Sequence, residues 1–320
     1  MTVSLLLAES VPRSGYAQSS PPQSSPPQSS PPALRLSTMK SAELLQQSER
    51  YERPYYQYFQ DVQDAEGVRF QANFPLSGVS ALVYEIENLE RDLQAYLGLP
   101  GRKELVEVLM FDSESHYASF LRKEFPDAPN DRRALFIKKN GMPGIVLIRL
   151  TEGTNDDIRH EMTHAFLHAS YSYVPLWLDE GLAEYFELPA NKRADGKSYL
   201  KNPTNNNLVF SSVPSLRKLE KIKNVNEFGA REYRESWAWI HFLIHNSPIT
   251  HKILAGYLAQ VGSGQPTDTL ENYLKKSVPD IKQEYFDHFK GWKNRNKTAD
   301  TESPKEAENI SRGWKDSFFR

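Results

Sequence analysis

Two histidines and two glutamates near the middle of the chain have the types and spacing of a metal-dependent hydrolytic site. The motif HEMTH occupies residues 160–164, and Glu180 follows sixteen residues after His164. Residues four apart project from one face of a helix, so both imidazoles are expected to point the same way. Two imidazoles and one carboxylate make a three-ligand zinc site that leaves a fourth position for water. The spacing therefore predicts one Zn²⁺ per chain, held by His160, His164 and Glu180.

Glu161 lies between the two predicted histidine ligands, on the adjoining face of the helix. A carboxylate there can take a proton from water at the metal, whereas the alternative is a solvated helix glutamate. HExxH strings also arise by chance, so the flanking residues decide whether such a string indicates a metal site. Here Asp156 and Asp157 place negative charge near a helix N-terminus. Apolar residues then follow at helical spacing, and a second helix is predicted after Pro175. We therefore interpret Glu161 as the general base.

The pairing of HEMTH with WLDEGLAEYFE at residues 177–187 resembles the gluzincin metallopeptidases, the group that includes thermolysin-like and aminopeptidase-N-like enzymes. It is still more similar to the bacterial peptidase-MA-like families, whose functions are mostly uncharacterised. The resemblance covers about residues 155–190 and implies that Glu180, in the WL(N/D)EG segment, is the third ligand. A metzincin would need Gly and His three and six residues after the second ligand. Leu167 and Ser170 stand there instead.

Four further side chains near the motif have open roles. Glu184 fits either a carboxylate that orients a ligand imidazole or an exposed helix residue. Asp179 fits either a hydrogen-bond acceptor for a ligand or a helix-capping residue. Glu187 is predicted to lie on the surface. His168 lies about 12 Å along the helix from His160, which predicts a packed or orienting histidine and not a fourth ligand.

Tyr233 opens a segment with the pattern of a buried helix. The gluzincin resemblance implies that a Tyr or His on a downstream helix stabilises the oxyanion of the transition state. Tyr233 is the candidate for that catalytic role, because its hydroxyl can donate a hydrogen bond to developing negative charge. The alternatives are an ordinary core tyrosine at this position, or His241 in the same role.

The periodicity along the chain predicts an α+β fold: a small mixed β-sheet lobe with helices, followed by the HExxH helix and a mainly helical C-terminal lobe, as the gluzincin resemblance also implies. A polar helical lead-in is expected between residues 36 and 59. Strands are predicted at 68–74, 105–111, 134–137 and 145–150, with helices at 79–97 and after Ser113. The last two strands should form a hairpin around Asn140-Gly141. The resemblance further implies that an edge strand of this 134–150 hairpin pairs with an extended substrate backbone. After a surface loop at 191–208, helices are predicted at 213–222, 229–246, 249–260, 268–276 and 279–293.

The chain divides by composition into a leader and Pro/Ser/Gln-rich tether (1–34), a sheet lobe (35–152), the metal-site helices with the helical lobe (153–293) and a charged flexible tail (294–320). The short apolar run at 3–8 and the small-x-small segment Gly15-Tyr16-Ala17 favour export to the periplasm, the cell surface or the medium over a disordered cytoplasmic leader.

Charge and composition exclude several classes of protein. A net charge of −2 does not indicate the excess of positive charge that is typical of nucleic-acid-binding proteins. The chain has no cysteine, which excludes disulfides and thiolate sites. No apolar run reaches the roughly 20 residues of a membrane span, so no integral membrane segment is predicted.

The leading interpretation is a zinc-dependent endopeptidase with peptide or protein substrates. An aminopeptidase is the runner-up, although the segment NGMPG at 140–144 lacks the glutamate with which aminopeptidase-N-like enzymes anchor the substrate amine. Two interpretations without hydrolysis are a non-catalytic zinc-containing scaffold and a wall-associated interaction protein displayed on the tether. The sequence leaves the substrate and the oligomeric state open.

Overall fold

The computed structural model describes residues 5–6, 55–139, 142–151, 154–194, 213–265 and 267–299. The first half of this part of the chain forms a mixed β-sheet and the second half is mostly helical. The strands are β1 (Leu5–Leu6), β2 (Asp61–Ala65), β3 (Val68–Ala72), β4 (Val106–Phe111), β5 (Ala134–Lys138) and β6 (Gly144–Arg149).

The sheet has the order β1-β5-β6-β4-β3-β2. Its five main strands, β2–β6, combine two antiparallel hairpins, β2–β3 and β5–β6, joined through parallel pairing of β4 with β3 and β6. The two-residue strand β1 pairs in parallel with Ile137 and Lys138 of β5. The β5–β6 hairpin therefore lies on the side of the sheet opposite to β2.

Ten α-helices are described. They are α1 (Ser80–Leu97), α2 (Glu114–Glu124), α3 (Thr154–Ser170), α4 (Leu176–Phe186), α5 (Ala190–Arg193), α6 (Leu216–Lys221), α7 (Ala230–His245), α8 (Pro248–Gly262), α9 (Leu270–Ser277) and α10 (Ile281–Ala299). Local signals set several ends: α1 stops at Gly98, which has a left-handed φ of 63°, and the Ser113 hydroxyl caps α2 by accepting from the His116 N–H.

Two hydrophobic clusters cover the two faces of the sheet. The larger cluster joins the sheet to α1, α3 and the C-terminal helices, and the smaller one joins it to α2. Strand β5 shows the alternation directly, because Ala134 and Phe136 belong to the larger cluster while Leu135 and Ile137 belong to the smaller. The helix that carries HEMTH therefore packs on one defined face of the β5–β6 hairpin.

The coarse outline that the sequence predicts is confirmed, with four differences in detail. Strand β2 was not predicted, because DVQDA is polar and exposed and has no apolar alternation. All five residues of β3 are buried, where a half-buried strand was predicted, since β3 is an interior strand. The buried Arg69 side chain of this strand forms an ion pair with Asp64, with 2.7 Å between Arg69 Nε and Asp64 Oδ1. Helix α5 occupies the start of the predicted 191–208 loop, and α10 extends to Ala299, into the predicted tail.

Several predictions fall on residues outside the described ranges. They are the leader and tether except for β1, most of the lead-in, the Asn140-Gly141 turn, the rest of the loop and the tail after Ala299. Among the described helices, none combines the length and the apolar character that crossing a membrane requires.

Gly181 marks the closest approach of α4 to α7. A Cβ at this position would lie 2.9 Å from Ile240 Cγ1 and 3.0 Å from the Ser236 carbonyl oxygen. Backbone cannot yield as a flexible side chain can, so only glycine fits without moving one helix. Since Glu180 is the preceding residue, this contact also sets the position of the predicted third ligand.

Gly181→Ala is expected to destabilise the protein by about 1–3 kcal/mol, because the new methyl group must push α4 away from α7. The matched control is Gly256→Ala in α8, where an added Cβ meets nothing within 4 Å. That change should be neutral or stabilising by up to about 1 kcal/mol, since alanine is the better helix former. Urea denaturation of both variants measures the difference, and equal midpoints would contradict the packing argument.

Candidate metal centre

Helices α3 and α4 bring the predicted ligands together. His160, Glu161 and His164 lie on α3, and Asp179 and Glu180 lie in the first part of α4. All five side chains are fully buried, with 0% of their surface exposed. Helix α3 reaches this position because it packs against β5, β6, α1 and α4 at once. Such a concentration of titratable groups away from water is costly unless partners compensate it.

The donor atoms of His160, His164 and Glu180 converge at a spacing suited to a metal ion. Nε2 of His160 lies 3.6 Å from Glu180 Oε2, and Nε2 of His164 lies 3.7 Å from the same oxygen. These separations are too long for hydrogen bonds. Ligands about 2.0–2.1 Å from a tetrahedral ion stand roughly 3.3 Å apart, close to what is seen. The three residues form a buried group that could hold one metal ion.

The buried polar atoms of this group that lack hydrogen-bond partners are a second, independent indication that it could hold a metal ion. Within the described part of the chain, neither His160 Nε2, His164 Nε2 nor either oxygen of Glu180 has a hydrogen-bond partner. Buried polar atoms are rarely left so, because the loss of solvation is not recovered. A divalent cation would satisfy all of them at once. Imidazole nitrogen and carboxylate oxygen suit zinc and also other divalent ions, so the donor set alone does not define the metal.

The other nitrogen of each ligand histidine faces a carboxylate. Nδ1 of His164 lies 2.9 Å from Asp179 Oδ1, and the second oxygen of Asp179 lies 3.0 Å from His168 Nε2. Nδ1 of His160 lies 3.1 Å from Glu187 Oε2. A carboxylate beside Nδ1 favours the proton there and so leaves the Nε2 lone pair for a metal. The contact of His160 with Glu187 is a hydrogen bond, whereas the contact of His164 with Asp179 is a close ion pair without hydrogen-bond geometry. Asp179 thus acts on a ligand, and His168 is tied to it without being a ligand.

Glu187 was predicted to lie on the surface, and that prediction is wrong. Its backbone continues the last turn of α4 in helical conformation, and its side chain, seven residues after Glu180 and therefore on the same face, meets His160. The buried Arg159 guanidinium donates to the Glu187 carbonyl oxygen and so fixes this turn. Glu184, the sequence candidate for the role, lies close by: His160, Glu184 and Glu187 form a second group with converging donor atoms.

The pKa values of the cluster show that it attracts positive charge. Burial alone would lower the pKa of His160, but the carboxylates of Glu180 and Glu187 outweigh it and raise that pKa well above the ordinary value. The pKa of His164 is raised in the same way, against burial, by Asp179 and Glu180. Burial raises the pKa of Glu180 itself. Each direction favours binding a proton, and a metal cation would meet the same demand.

Strand β5 holds the predicted general base. The backbone N–H of Phe136 donates to Glu161 Oε2 at 2.7 Å. Since β5 pairs with β6 on its other side, this N–H belongs to the edge of β5 that faces away from the hairpin. Glu161 is in neither of the two groups that could hold a metal. Its place beside the candidate ligands, against the side of β5 that faces away from β6, suits action on a bound water or substrate.

Tyr233 reaches the site from the first turn of α7. Its side chain is 5% exposed, and its hydroxyl has no hydrogen-bond partner among the described residues. Burial raises the pKa of this hydroxyl above its usual range, and the nearby carboxylates of Glu180 and Glu184 raise it further, so it stays a proton donor. His241, the alternative, instead faces His288 at 3.0 Å and the Ala194 carbonyl oxygen at 3.3 Å.

In comparisons with known proteins, no family model and no curated protein sequence matches this chain. What the site can do therefore has to be argued from its own geometry.

The protein is expected to bind one divalent ion per chain, and metal at about 1,000 times its dissociation constant should stabilise the fold by about 4 kcal/mol. His164→Ala should abolish that binding, because it removes one donor of three. His116→Ala is the control, since the His116 side chain is exposed and bonds only to residues away from the site. Metal analysis and thermal melting with and without chelator check this. Stoichiometric metal in His164→Ala would contradict the ligand assignment.

Glu187→Gln is expected to weaken metal binding by about 10–100-fold, because a neutral amide no longer holds the Nδ1 proton of His160. Glu184→Gln, four residues from the ligand Glu180, is the matched comparison and should cost less. Competition with a chromogenic chelator measures both affinities. A larger loss in Glu184→Gln would assign the orienting role to Glu184 instead.

Proposed function

We propose that this protein is a zinc-dependent peptidase of the gluzincin type that hydrolyses internal peptide bonds. One observation carries the proposal: a buried group of three converging donors lies directly beside a buried carboxylate, Glu161, that is not one of those donors. A structural metal site is normally closed by four protein ligands, whereas three ligands leave room for water. A base next to that position is what hydrolysis requires.

The chain's own residues divide the chemistry between them. A Zn²⁺ ion held by His160, His164 and Glu180 would supply Lewis acidity, which lowers the pKa of water and polarises a carbonyl. Glu161 accepts the proton of the attacking water and passes it to the leaving amine. The Phe136 N–H holds Glu161 in place at 2.7 Å before substrate binds. Tyr233, with its hydroxyl protonated and unpartnered in the described structure, donates a hydrogen bond to the oxyanion of the tetrahedral intermediate.

The side of β5 that faces away from β6 supports an extended peptide as the substrate: β1 pairs there with Ile137 and Lys138, so a substrate strand would lie beside the residues before Ile137. An extended chain on this side would place its backbone next to Phe136, and therefore next to Glu161. The residues after β5 contain no carboxylate before Gly144 that could anchor a substrate amine, which favours internal cleavage over aminopeptidase activity. Cleavage of N-acetylated and free-amine forms of one peptide distinguishes internal cleavage from aminopeptidase activity.

Export of the protein remains part of the proposal, and cell fractionation tests it.

Glu161→Gln is expected to keep stoichiometric metal and lose about 10²–10⁴-fold in kcat, because the amide cannot accept the proton of water. His164→Ala is the control that should lose both metal and activity. The measurement is turnover of a peptide library by metal-loaded proteins of known metal content. Undiminished turnover in Glu161→Gln would contradict the mechanism, and a metal-loaded wild type that cleaves nothing would favour the scaffold alternative.

A further inference from the structure

Arg132 lies in the segment that leads into β5, and this segment is fixed next to the metal centre. The next residue, Arg133, contacts Asp157 on the first turn of α3 at 2.9 Å. The Arg133 carbonyl oxygen accepts from the Arg149 N–H at 2.8 Å, which extends the hairpin pairing. Four residues after Arg132, the Phe136 N–H holds Glu161. The contacts of Arg133 and Phe136 thus fix the chain that follows Arg132 against α3, the helix of the proposed base.

The guanidinium of Arg132 is poorly satisfied for a group so little exposed. Its side chain is 20% exposed, and its Nε is buried without a hydrogen-bond partner in the described ranges. The nearest carboxylate, on Asp131, is 3.8 Å away, beyond hydrogen-bonding distance, and its side chain is 76% exposed. Solvent-exposed pairs of this kind contribute little. Arg132 is half-buried, whereas the buried arginines of the described chain each contact a carboxylate: Arg69, Arg102, Arg159 and Arg193.

Tyr233 is close enough to Arg132 to be affected by its charge. The positive charge of Arg132 opposes the rise in the pKa of the Tyr233 hydroxyl that burial and the carboxylates cause. The two side chains come from different elements, the approach to β5 and the first turn of α7. Both offer hydrogen-bond donors: guanidinium has no acceptor atom, and the hydroxyl is protonated. Since the proposed function assigns the Tyr233 hydroxyl to the oxyanion, the guanidinium can bind a separate anionic acceptor nearby, and a carboxylate fits guanidinium in a bidentate geometry.

We infer that Arg132 binds a carboxylate of the substrate close to the scissile bond, so that the enzyme selects peptides that carry an acidic group there. This inference rests on the proposed function. The carboxylate is either the side chain of an Asp or Glu or the C-terminal carboxylate of the peptide, since both present the same group. Arg132 is then a residue for specificity, distinct from the metal ligands and from Glu161.

Matched peptides test the inference by hydrolysis. One pair differs by Glu or Gln at each position near the cleaved bond, and a second pair differs by a free or amidated C-terminus. Wild type should prefer the acidic member of one pair by about 10–100-fold, mainly through KM, because a charged hydrogen bond is lost in the neutral one. The pair that shows the preference identifies the source of the carboxylate.

Arg132→Gln should remove this preference while turning over neutral peptides within about threefold of wild type, because only the contact with the carboxylate is lost. Arg132→Lys should restore part of it, since lysine supplies the charge without the planar fork. Arg122→Gln, at an exposed position of α2, is the control and should keep the full preference. A preference that survives Arg132→Gln, or a wild type with no preference, overturns the inference. Equal loss on acidic and neutral peptides, with a lower melting temperature, also overturns it and assigns Arg132 a structural role.

Direct binding separates this inference from the proposed function. The same peptides are titrated into metal-loaded Glu161→Gln protein with and without Arg132→Gln. Tighter binding of the acidic peptides that disappears with Arg132→Gln supports the anchor even if the wild type hydrolyses nothing. Equal binding of acidic and neutral peptides overturns it even if hydrolysis is confirmed.

Discussion

The rest of the structure depends on how five fully buried titratable side chains are kept together between α3 and α4. Isolated charges at such a depth would be strongly unfavourable, so each must find a partner of opposite sign. Asp179 contacts His164 and His168 with its two oxygens, and Glu187 contacts His160. These contacts leave one nitrogen of each ligand histidine and the Glu180 carboxylate facing one another. Pairing at one nitrogen of each imidazole therefore leaves the other nitrogen facing Glu180, in a group that could hold a metal ion.

The register of the β5–β6 hairpin decides whether the proposed base is held. Phe136 pairs with Val146, and in that register its side chain lies against His164 and His168 while its N–H points out of the hairpin to Glu161. A slip of one residue would exchange the two faces of the strand, moving Phe136 away from α3. The burial of Phe136, together with Ala134, in the larger hydrophobic cluster specifies the register. Hydrophobic packing in the sheet lobe thus aligns the polar chemistry of the helix beside it.

How far the sequence predicts this arrangement depends on the range of the interaction. The shared face of His160 and His164 follows from helical periodicity alone, and the second helix is marked by Pro175, so the ligand set could be predicted locally. The contact of Glu187 with His160 was missed because, although Glu187 shares the helix face of Glu180, the contact depends on how α4 packs against α3. The Phe136 hydrogen bond joins residues 25 positions apart and depends on strand register. Strand β2 was missed because its stability comes from pairing with β3 and not from a buried face.

Helix α7 links the two walls of the site. Through Ser236 and Ile240 it meets α4 at Gly181, directly after the ligand Glu180, and one turn earlier it carries Tyr233. Any movement of α7 relative to α4 would therefore change the separation between the candidate ligand Glu180 and the proposed oxyanion donor Tyr233. The close approach allows no such movement without a clash, because close-packed interiors do not deform continuously. The C-terminal helices accordingly do more than bury apolar surface, because their packing fixes Tyr233 relative to Glu180. The proposed role of Tyr233 needs such a fixed position, since a donor to an oxyanion must be in place before the charge develops.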